Sequence, residues 1–73
     1  MNTHAIGENI CSRMRQKDIT QRELASRVGL TEVTMSRYIN GLRQPTAYAL
    51  YRISRALGCK MEDLMRGVEG EEK

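Results

Sequence analysis

The chain has 73 residues and a net charge of +3, with 40% hydrophobic and 29% charged residues. This length is near the lower limit for one self-supporting core, and this composition is ordinary for a soluble globular domain, which argues against disorder. No apolar run approaches the roughly 18 residues that a membrane span needs, and the N-terminal MNTHAIGEN lacks a basic start and an apolar signal core. We therefore expect one small domain in the cytoplasm, with no membrane partner.

The charge is unevenly distributed along the chain. The C-terminal GVEGEEK holds three glutamates and one lysine, whereas residues 1–66 hold 11 basic and 6 acidic residues, a charge of +5. Nine of the twelve basic residues are arginines, whose forked guanidinium suits phosphate. A merely solvated surface and a nucleic-acid partner both fit this balance. We divide the chain into a domain over residues 1–66 and a flexible acidic tail over residues 67–73.

Apolar residues recur at helical spacing in the first part of the chain, and strand signals are almost absent throughout. Ile6, Ile10 and Met14 are four residues apart and predict a first helix over about residues 4–17. Asp18 follows where the chain must turn, and aspartate tolerates left-handed backbone.

The next segment, ITQRELASRVG, begins with a capping signal. Thr20 and Glu23 have the spacing of a capping box, in which each side chain accepts a hydrogen bond from the other residue's backbone N–H. Gly29 supplies the C-terminal stop. These features predict a second helix over about residues 21–28.

A third helix is predicted to begin shortly after the second one ends. Thr31 can cap a third helix over residues 31–40, which Asn40–Gly41 ends. About three residues, one of them a glycine, separate it from the second helix, which is typical of one short helix turning sharply into another. Its inward side is predicted by three apolar residues, Met35, Tyr38 and Ile39.

Two further helices complete the predicted fold. Thr46 can cap a fourth helix that ends at Gly58, and a brief fifth helix spans Met61 to Arg66. The inner row of the fourth helix is predicted to be Ala47, Leu50, Ile53 and Leu57. We expect an all-α fold, a compact bundle of about five short helices around one core.

The outward side of the third helix is unusual for a solvent-facing surface. It carries Glu32, Val33, Ser36 and Arg37, and lacks the Ala, Lys or Gln that favour an exposed helix. Simple explanations exist, because a glutamate in the first turn suits the helix dipole and isolated exposed apolar residues are common. A surface that recognises a mixed chemical pattern is the alternative.

The segment ITQRELASRVGLTEVTMSRYINGLRQP resembles the helix-turn-helix of the phage repressor and Cro family, also called the XRE family. The resemblance runs from about Gly7 to Leu64. It rests on an ordered set of residues: Thr20-Gln21, Leu24-Ala25, Gly29, Thr31, Asn40-Gly41, Pro45 and Leu57-Gly58. It implies a lambda-repressor-like helix-turn-helix domain and a sequence-specific, double-stranded DNA-binding transcriptional regulator, here expected to be a repressor.

The resemblance also implies roles for individual residues, since the family lays the helix over residues 31–40 in the DNA major groove. Arg37 would fork onto guanine and Val33 would cover a thymine methyl group. Glu32 would accept a hydrogen bond from the cytosine amino group, and Ser36 would form a hydrogen bond with any of several bases. Matching family positions assign DNA phosphate contacts to Thr20, Gln21, Thr31, Asn40 and Arg43.

Three departures from the family pattern carry expectations of their own. Met14 and Ile39 stand where the family usually has an arginine and a glutamate that form an ion pair, and we predict that they touch. Lys60 replaces the usual small capping residue, so the last helix should be poorly anchored. Ser54 stands where the family prefers alanine, which should place a hydroxyl in a partly buried site.

The family commonly binds as a two-fold dimer on half-sites about 34 Å apart, so we expect a homodimer, at least on DNA. Tyr48, Tyr51 and the last helix suggest a partner surface, although tyrosines at a core edge would look the same. The main rival is a protein-interaction module, such as an antitoxin that binds a toxin or another protein. Its acidic segment Glu69 to Glu72 would then dock on a basic partner. An architectural DNA binder is a third possibility.

The cysteines and the histidine predict no metal or catalytic site. Cys11 and Cys59 stand 48 residues apart and should pack as small apolar groups in a reducing compartment, with a disulfide as the alternative. His4 is expected at the surface. We find no nucleophile–base pair and no phosphate-cradling glycine loop, and therefore expect no enzyme activity and no cofactor.

Overall fold

Five helices form where apolar spacing and capping residues predict them. The computed structural model describes residues 4–67, and within that range the chain contains helices and turns but no strand. The helices are α1 (His4–Lys17), α2 (Gln21–Val28), α3 (Glu32–Ile39), α4 (Ala47–Leu57) and α5 (Met61–Leu64). The all-α fold class is confirmed. The predicted tail beyond Gly67 lies outside the described residues.

Threonine side chains begin the three middle helices. Thr20 Oγ1 accepts from the Glu23 backbone N–H at 3.1 Å, and Glu23 Oε1 accepts from the Thr20 N–H at 2.9 Å, which confirms the capping box. Thr31 and Thr46 each accept from the N–H three residues later, at 3.1 and 3.0 Å. Each such cap contributes about 1 kcal/mol to stability, so the starts of α2, α3 and α4 are fixed locally.

Left-handed residues directly follow α1, α2 and α4 and turn the chain there. Gly29 and Gly58 adopt φ of 73° and 71° at the C-terminal ends of α2 and α4. Asp18 adopts φ of 57° after α1 and is the one non-glycine residue of the described range with positive φ. The turn predicted at this aspartate is therefore confirmed.

The core receives side chains from all five helices. The most deeply buried apolar residues are Ile10, Leu24, Met35, Ile53, Leu57 and Leu64, each fully inaccessible. Helix α3 packs against both α1 and α2, while α4 packs against α2, α5 and α1. No helix among residues 4–67 is long and apolar enough to cross a membrane.

The inner row of α4 differs from the predicted one at its first position. Ala47 is exposed because it is the first helical residue, one turn short of the core, whereas Ala49 and Ser54 are buried. The fifth helix is shorter than the predicted Met61 to Arg66, since α5 ends at Leu64 and the chain turns there, which leaves Met65 44% exposed.

The approach of α1 to the end of α3 requires a residue without a side chain. A Cβ atom at Gly7 would lie 2.8 Å from the Tyr38 carbonyl oxygen and 2.7 Å from the Ile39 carbonyl carbon. Both of these atoms belong to the backbone and cannot move aside as a side chain could. Gly7 therefore sets the closest approach between α1 and α3.

Helix α5 is held by partners that the sequence did not reveal. The Lys60 side chain has no acceptor atom and so cannot cap the helix, but Asp63 Oδ2 accepts from the Lys60 backbone N–H at 3.0 Å. Asn9 Nδ2, on α1, donates to the backbone carbonyls of Leu64 and Arg66 at 2.8 Å each. The expectation of a poorly anchored last helix is wrong, because Asn9 of α1 donates hydrogen bonds to carbonyl groups at the C-terminal end of α5.

Other expectations about the core have mixed outcomes. Ser54 is only 2% exposed, and its Oγ donates to the Tyr51 carbonyl at 2.7 Å, which confirms the buried hydroxyl. Met14 lies in the core and Ile39 packs against it half-buried, but their direct contact stays a prediction. Cys59 is a half-buried free thiol whose pKa is raised by burial, as expected for a residue that acts as an apolar group.

Replacement of Gly7 by alanine tests the close approach of α1 to α3. Helix propensity alone predicts that Gly7→Ala stabilises the protein by about 1 kcal/mol. The backbone clash predicts a loss of about 1–3 kcal/mol in the free energy of unfolding, measured in urea. Ser12→Ala, at an exposed position of the same helix, is the control and should change little. A stabilised Gly7→Ala variant would contradict the packing described.

Acid should destabilise the fold through two carboxylates. Hydrogen bonds from Thr20 lower the pKa of Glu23, and the Lys60 backbone N–H followed by nearby Arg13 and Arg66 lowers the pKa of Asp63. A group whose pKa is lower in the folded than in the unfolded state stabilises the fold above its ordinary pKa, and that stabilisation is lost as pH falls through the lowered value.

The double variant Glu23→Gln/Asp63→Asn should therefore show a shallower fall in unfolding free energy across that acid range than the unchanged chain. Urea titrations at a series of acidic pH values measure it. Parallel curves for the two proteins would refute the assignment.

Candidate nucleic-acid interface

The exposed face of α3 lies directly opposite its buried stripe. Met35 is 0% and Tyr38 is 6% exposed, whereas Val33 is 62% exposed. Glu32 and Arg37 are also exposed, and Ser36 is half-buried between the two faces. The predicted sidedness of this helix is therefore correct.

The exposed face of α3 and the start of α2 together line one shallow depression. Its lining residues are Gln21, Glu32, Val33, Ser36 and Arg37. All four residues predicted to contact bases thus share one surface with Gln21, which was predicted to contact phosphate. We call this depression and its lining the recognition face.

The N-terminal ends of α2 and α3 meet at one edge of the recognition face. Gln21 Nε2 donates to the Glu32 backbone carbonyl at 3.5 Å, and Arg22 Nε lies 3.7 Å from Glu32 Oε1. Helix N-termini present backbone N–H groups and a partial positive charge, so two of them together favour an anionic ligand. Thr20 and Thr31, the residues that cap these helices, lie at the same edge.

The hydroxyl groups of both threonines are engaged within their own helix caps. Thr20 Oγ1 accepts from the Glu23 N–H, and the Thr20 backbone N–H and then the same side chain interact with the Glu23 carboxylate and lower its pKa. Thr31 Oγ1 accepts from the Thr34 N–H and also donates to Thr34 Oγ1 at 2.9 Å. A phosphate contact from the Thr31 hydroxyl would have to replace that second hydrogen bond.

The opposite edge is formed by the end of α3 and the loop that follows it. Asn40 Nδ2 donates to Ser36 Oγ at 3.2 Å. The Arg37 carbonyl accepts from the backbone N–H groups of Leu42 at 2.9 Å and Arg43 at 3.3 Å, which fixes the loop to the helix. Arg43 is exposed beside it. The predicted phosphate-contacting residues thus lie at two edges of the recognition face, with Thr20, Gln21 and Thr31 at one edge and Asn40 and Arg43 at the other.

Two residues at this surface were missed by sequence reasoning. Arg22 pairs with Glu32 across the helix-turn-helix, a relation that depends on how α2 and α3 pack and leaves no local sequence signal. Leu42 is 77% exposed at the tip of the loop. An apolar residue inside the polar turn NGLRQP was the available signal for it.

Four other arginines of the described range, Arg13, Arg27, Arg52 and Arg55, do not line the recognition face. Arg13, whose role the sequence left open, pairs with Asp63 at 3.8 Å and so supports α5. On α4, the Arg52 and Arg55 guanidinium groups lie 5.5 and 5.8 Å from the ring centres of the neighbouring tyrosines, within the range of cation–π attraction. The two arginines and two tyrosines of α4 share one groove, which is lined by Arg27, Tyr48, Tyr51, Arg52, Arg55 and Ala56.

Comparison with known proteins identifies the family to which this fold belongs. The family model of the Cro/C1-type HTH DNA-binding domain matches residues 9–69. The uncharacterized HTH-type transcriptional regulator y4dJ of Sinorhizobium fredii is 33% identical over 60 residues, which cover 82% of this chain and 78% of that protein. Repressor protein C2 of Salmonella phage P22 is 33% identical over 67 residues, covering 92% of this chain and 31% of the repressor.

The solution structure of the DNA-binding domain of the P22 C2 repressor superposes with a TM-score of 0.82 at 30% identity. The match covers 100% of this chain and 96% of that domain. The chain thus matches a whole DNA-binding domain but spans only about a third of the complete repressor. The resemblance predicted from the sequence is confirmed, and the chain belongs to the Cro/C1-type helix-turn-helix DNA-binding domain family.

Proposed function

We propose that the chain is a sequence-specific DNA-binding transcriptional regulator that acts as a repressor, with a binding rather than a catalytic role. The observation that carries the proposal is the recognition face, which presents a cation, an anion, an apolar group and a hydroxyl on one exposed helix surface. The major groove offers acceptors, donors and a thymine methyl group, which match those four chemistries. Occupation of an operator by α3 is then sufficient to block transcription.

Arg37 and Val33 are the base contacts that their environment supports best. The Arg37 side chain makes no hydrogen bond or ion pair within residues 4–67, so its guanidinium is available to fork onto guanine O6 and N7. Val33 stands 62% exposed and can bury its methyl groups against a thymine methyl.

Ser36 and Glu32 have more constrained roles. Ser36 Oγ accepts from Asn40, so its remaining proton can be donated to a base acceptor. Glu32 can accept from the cytosine amino group through the carboxylate oxygen that does not face Arg22. In our proposal both residues discriminate between bases, whereas contacts from Thr20, Gln21, Thr31, Asn40 and Arg43 to phosphates fix the register.

We propose that the protein binds its operator as a two-fold dimer. A depression at the α4–α5 edge is suited to pairing, because it carries charges of both signs, which two copies can match reciprocally. Its lining is Tyr51, Ser54, Arg55, Cys59, Lys60, Met61 and Glu62. The groove around Tyr48 is less suitable, since Arg27 and Arg52 form no ion pair within residues 4–67 and would repel their two-fold copies.

Salt dependence tests the proposed function. Affinity for duplex DNA should fall by about 0.9 log units per log unit of salt for each phosphate that the protein neutralises. Fluorescence anisotropy over a salt series measures this slope. A flat response would instead favour a protein partner, such as a toxin, over DNA.

Selection of bound fragments from random duplex DNA should return a two-fold symmetric motif with half-sites about 34 Å apart. Recovery of fragments with no shared sequence would contradict sequence-specific recognition and favour an architectural role. An asymmetric motif would contradict the dimer alone.

Substitution of Arg37 separates base recognition from phosphate binding. Arg37→Ala should cost roughly 1–3 kcal/mol and relax the preference at one base pair. Arg37→Lys keeps the charge but loses the fork, so it should recover part of the affinity without the guanine preference. Equal weakening on every sequence would make Arg37 a phosphate contact.

A further inference from the structure

We infer that Arg22 is a positioning residue that contacts both the Glu32 carboxylate and a DNA phosphate. By doing so it allows Glu32 to enter the major groove and select cytosine. The inference rests on the proposed function and concerns the N-terminal edge of the recognition face. Arg22 Nε lies 3.7 Å from Glu32 Oε1, with the two side chains 84% and 51% exposed. We call these two residues the Arg22–Glu32 pair.

The geometry of the pair leaves the rest of the guanidinium unused. Arg22 contacts the carboxylate through Nε, and its two terminal Nη groups make no hydrogen bond within residues 4–67. Those two N–H groups form the fork that binds phosphate oxygens in two parallel hydrogen bonds. One arginine can therefore contact a carboxylate and a phosphate simultaneously, whereas a lysine ammonium offers a single point of charge.

Glu32 needs such a neighbour if it is to enter the major groove. A free carboxylate between two phosphate backbones is repelled, and that repulsion is strongest where water is excluded. Because the pair is exposed in the free protein and screened by solvent, it contributes little to folding. Its effect should appear on DNA, where Arg22 cancels the charge of the carboxylate.

The backbone of Glu32 is fixed independently of its side chain. Glu32 is the first residue of the capped helix α3, and Gln21 Nε2 adds a long hydrogen bond of 3.5 Å to its carbonyl from the first residue of α2. With the backbone held in α3 and Oε1 facing Arg22, Oε2 is left to accept from the cytosine N4 amino group. The 3.7 Å separation exceeds a hydrogen bond, so binding to phosphate can tighten the pair.

The test compares four versions of the whole chain: unchanged, Arg22→Ala, Glu32→Gln and the double variant. Affinity is measured by fluorescence anisotropy on every single base-pair variant of the selected duplex. The unchanged chain should prefer cytosine at one position, and Glu32→Gln should abolish that preference. Arg22→Ala should reduce the same preference roughly 5- to 100-fold and lower the salt slope by about 0.9. In the Glu32→Gln background, Arg22→Ala should have a smaller effect on affinity.

Two matched variants control for charge. Arg27→Ala removes the same charge from the same helix at a residue outside the recognition face, and should leave the cytosine preference unchanged. Arg22→Lys should restore part of the salt slope without the cytosine preference. Thermal unfolding of each variant should match the unchanged chain, since both side chains of the pair are exposed.

The outcomes distinguish this inference from the proposed function. If Arg22→Ala weakens all sequences equally, by the same factor in both backgrounds, Arg22 is only a phosphate contact and the inference fails while sequence-specific binding stands. If the unchanged chain binds all duplexes alike, the proposed function itself fails, and the inference with it.

Discussion

The packing of the apolar stripe of α3 between α1 and α2 is the constraint on which the rest of the structure depends. Met35 and Tyr38 are buried on that stripe, so residues on the opposite side of the helix, such as Val33 and Arg37, must face outward. Gly7 allows α1 to lie directly against the end of α3, where any side chain would meet backbone. This contact fixes the rotation of α3 about its own axis. The recognition face is therefore a consequence of core packing, because no separate interaction is needed to turn it outward.

The arginines fall into three groups with different surroundings. Arg13 supports the fold, because it forms an ion pair with Asp63 of α5. Arg52 and Arg55 lie over tyrosine rings on α4, where they cover aromatic surface and keep their charge in solvent. Arg22, Arg37 and Arg43 lie around α3, close to where phosphates and bases are proposed to be. A net charge of +3 conceals this division, since it sums residues with unrelated functions.

Local features of the structure and the sidedness of α3 could be predicted from the sequence, whereas specific contacts between distant residues could not. The bounds of α1 and α2, the capping box and the left-handed turn at Asp18 depend on neighbours within four residues, so their signals are contiguous. The anchor of α5 was missed because Asn9 lies 55 residues from Leu64 in the chain. The Arg22–Glu32 pair was missed for the same reason, and Ala47 was misplaced because spacing alone does not show where a helix reaches the core.

The separation between the buried and exposed faces of α3 has a consequence for divergence. Val33 and Arg37 are exposed and contribute little to the core, so exchanges at these two positions should leave folding almost unchanged. Under the proposed base contacts, the same exchanges should alter which operator is preferred. Gly7, which has no side chain at all, tolerates far less change. Descendants of this chain could therefore acquire new targets through a few surface replacements, with the scaffold retained intact.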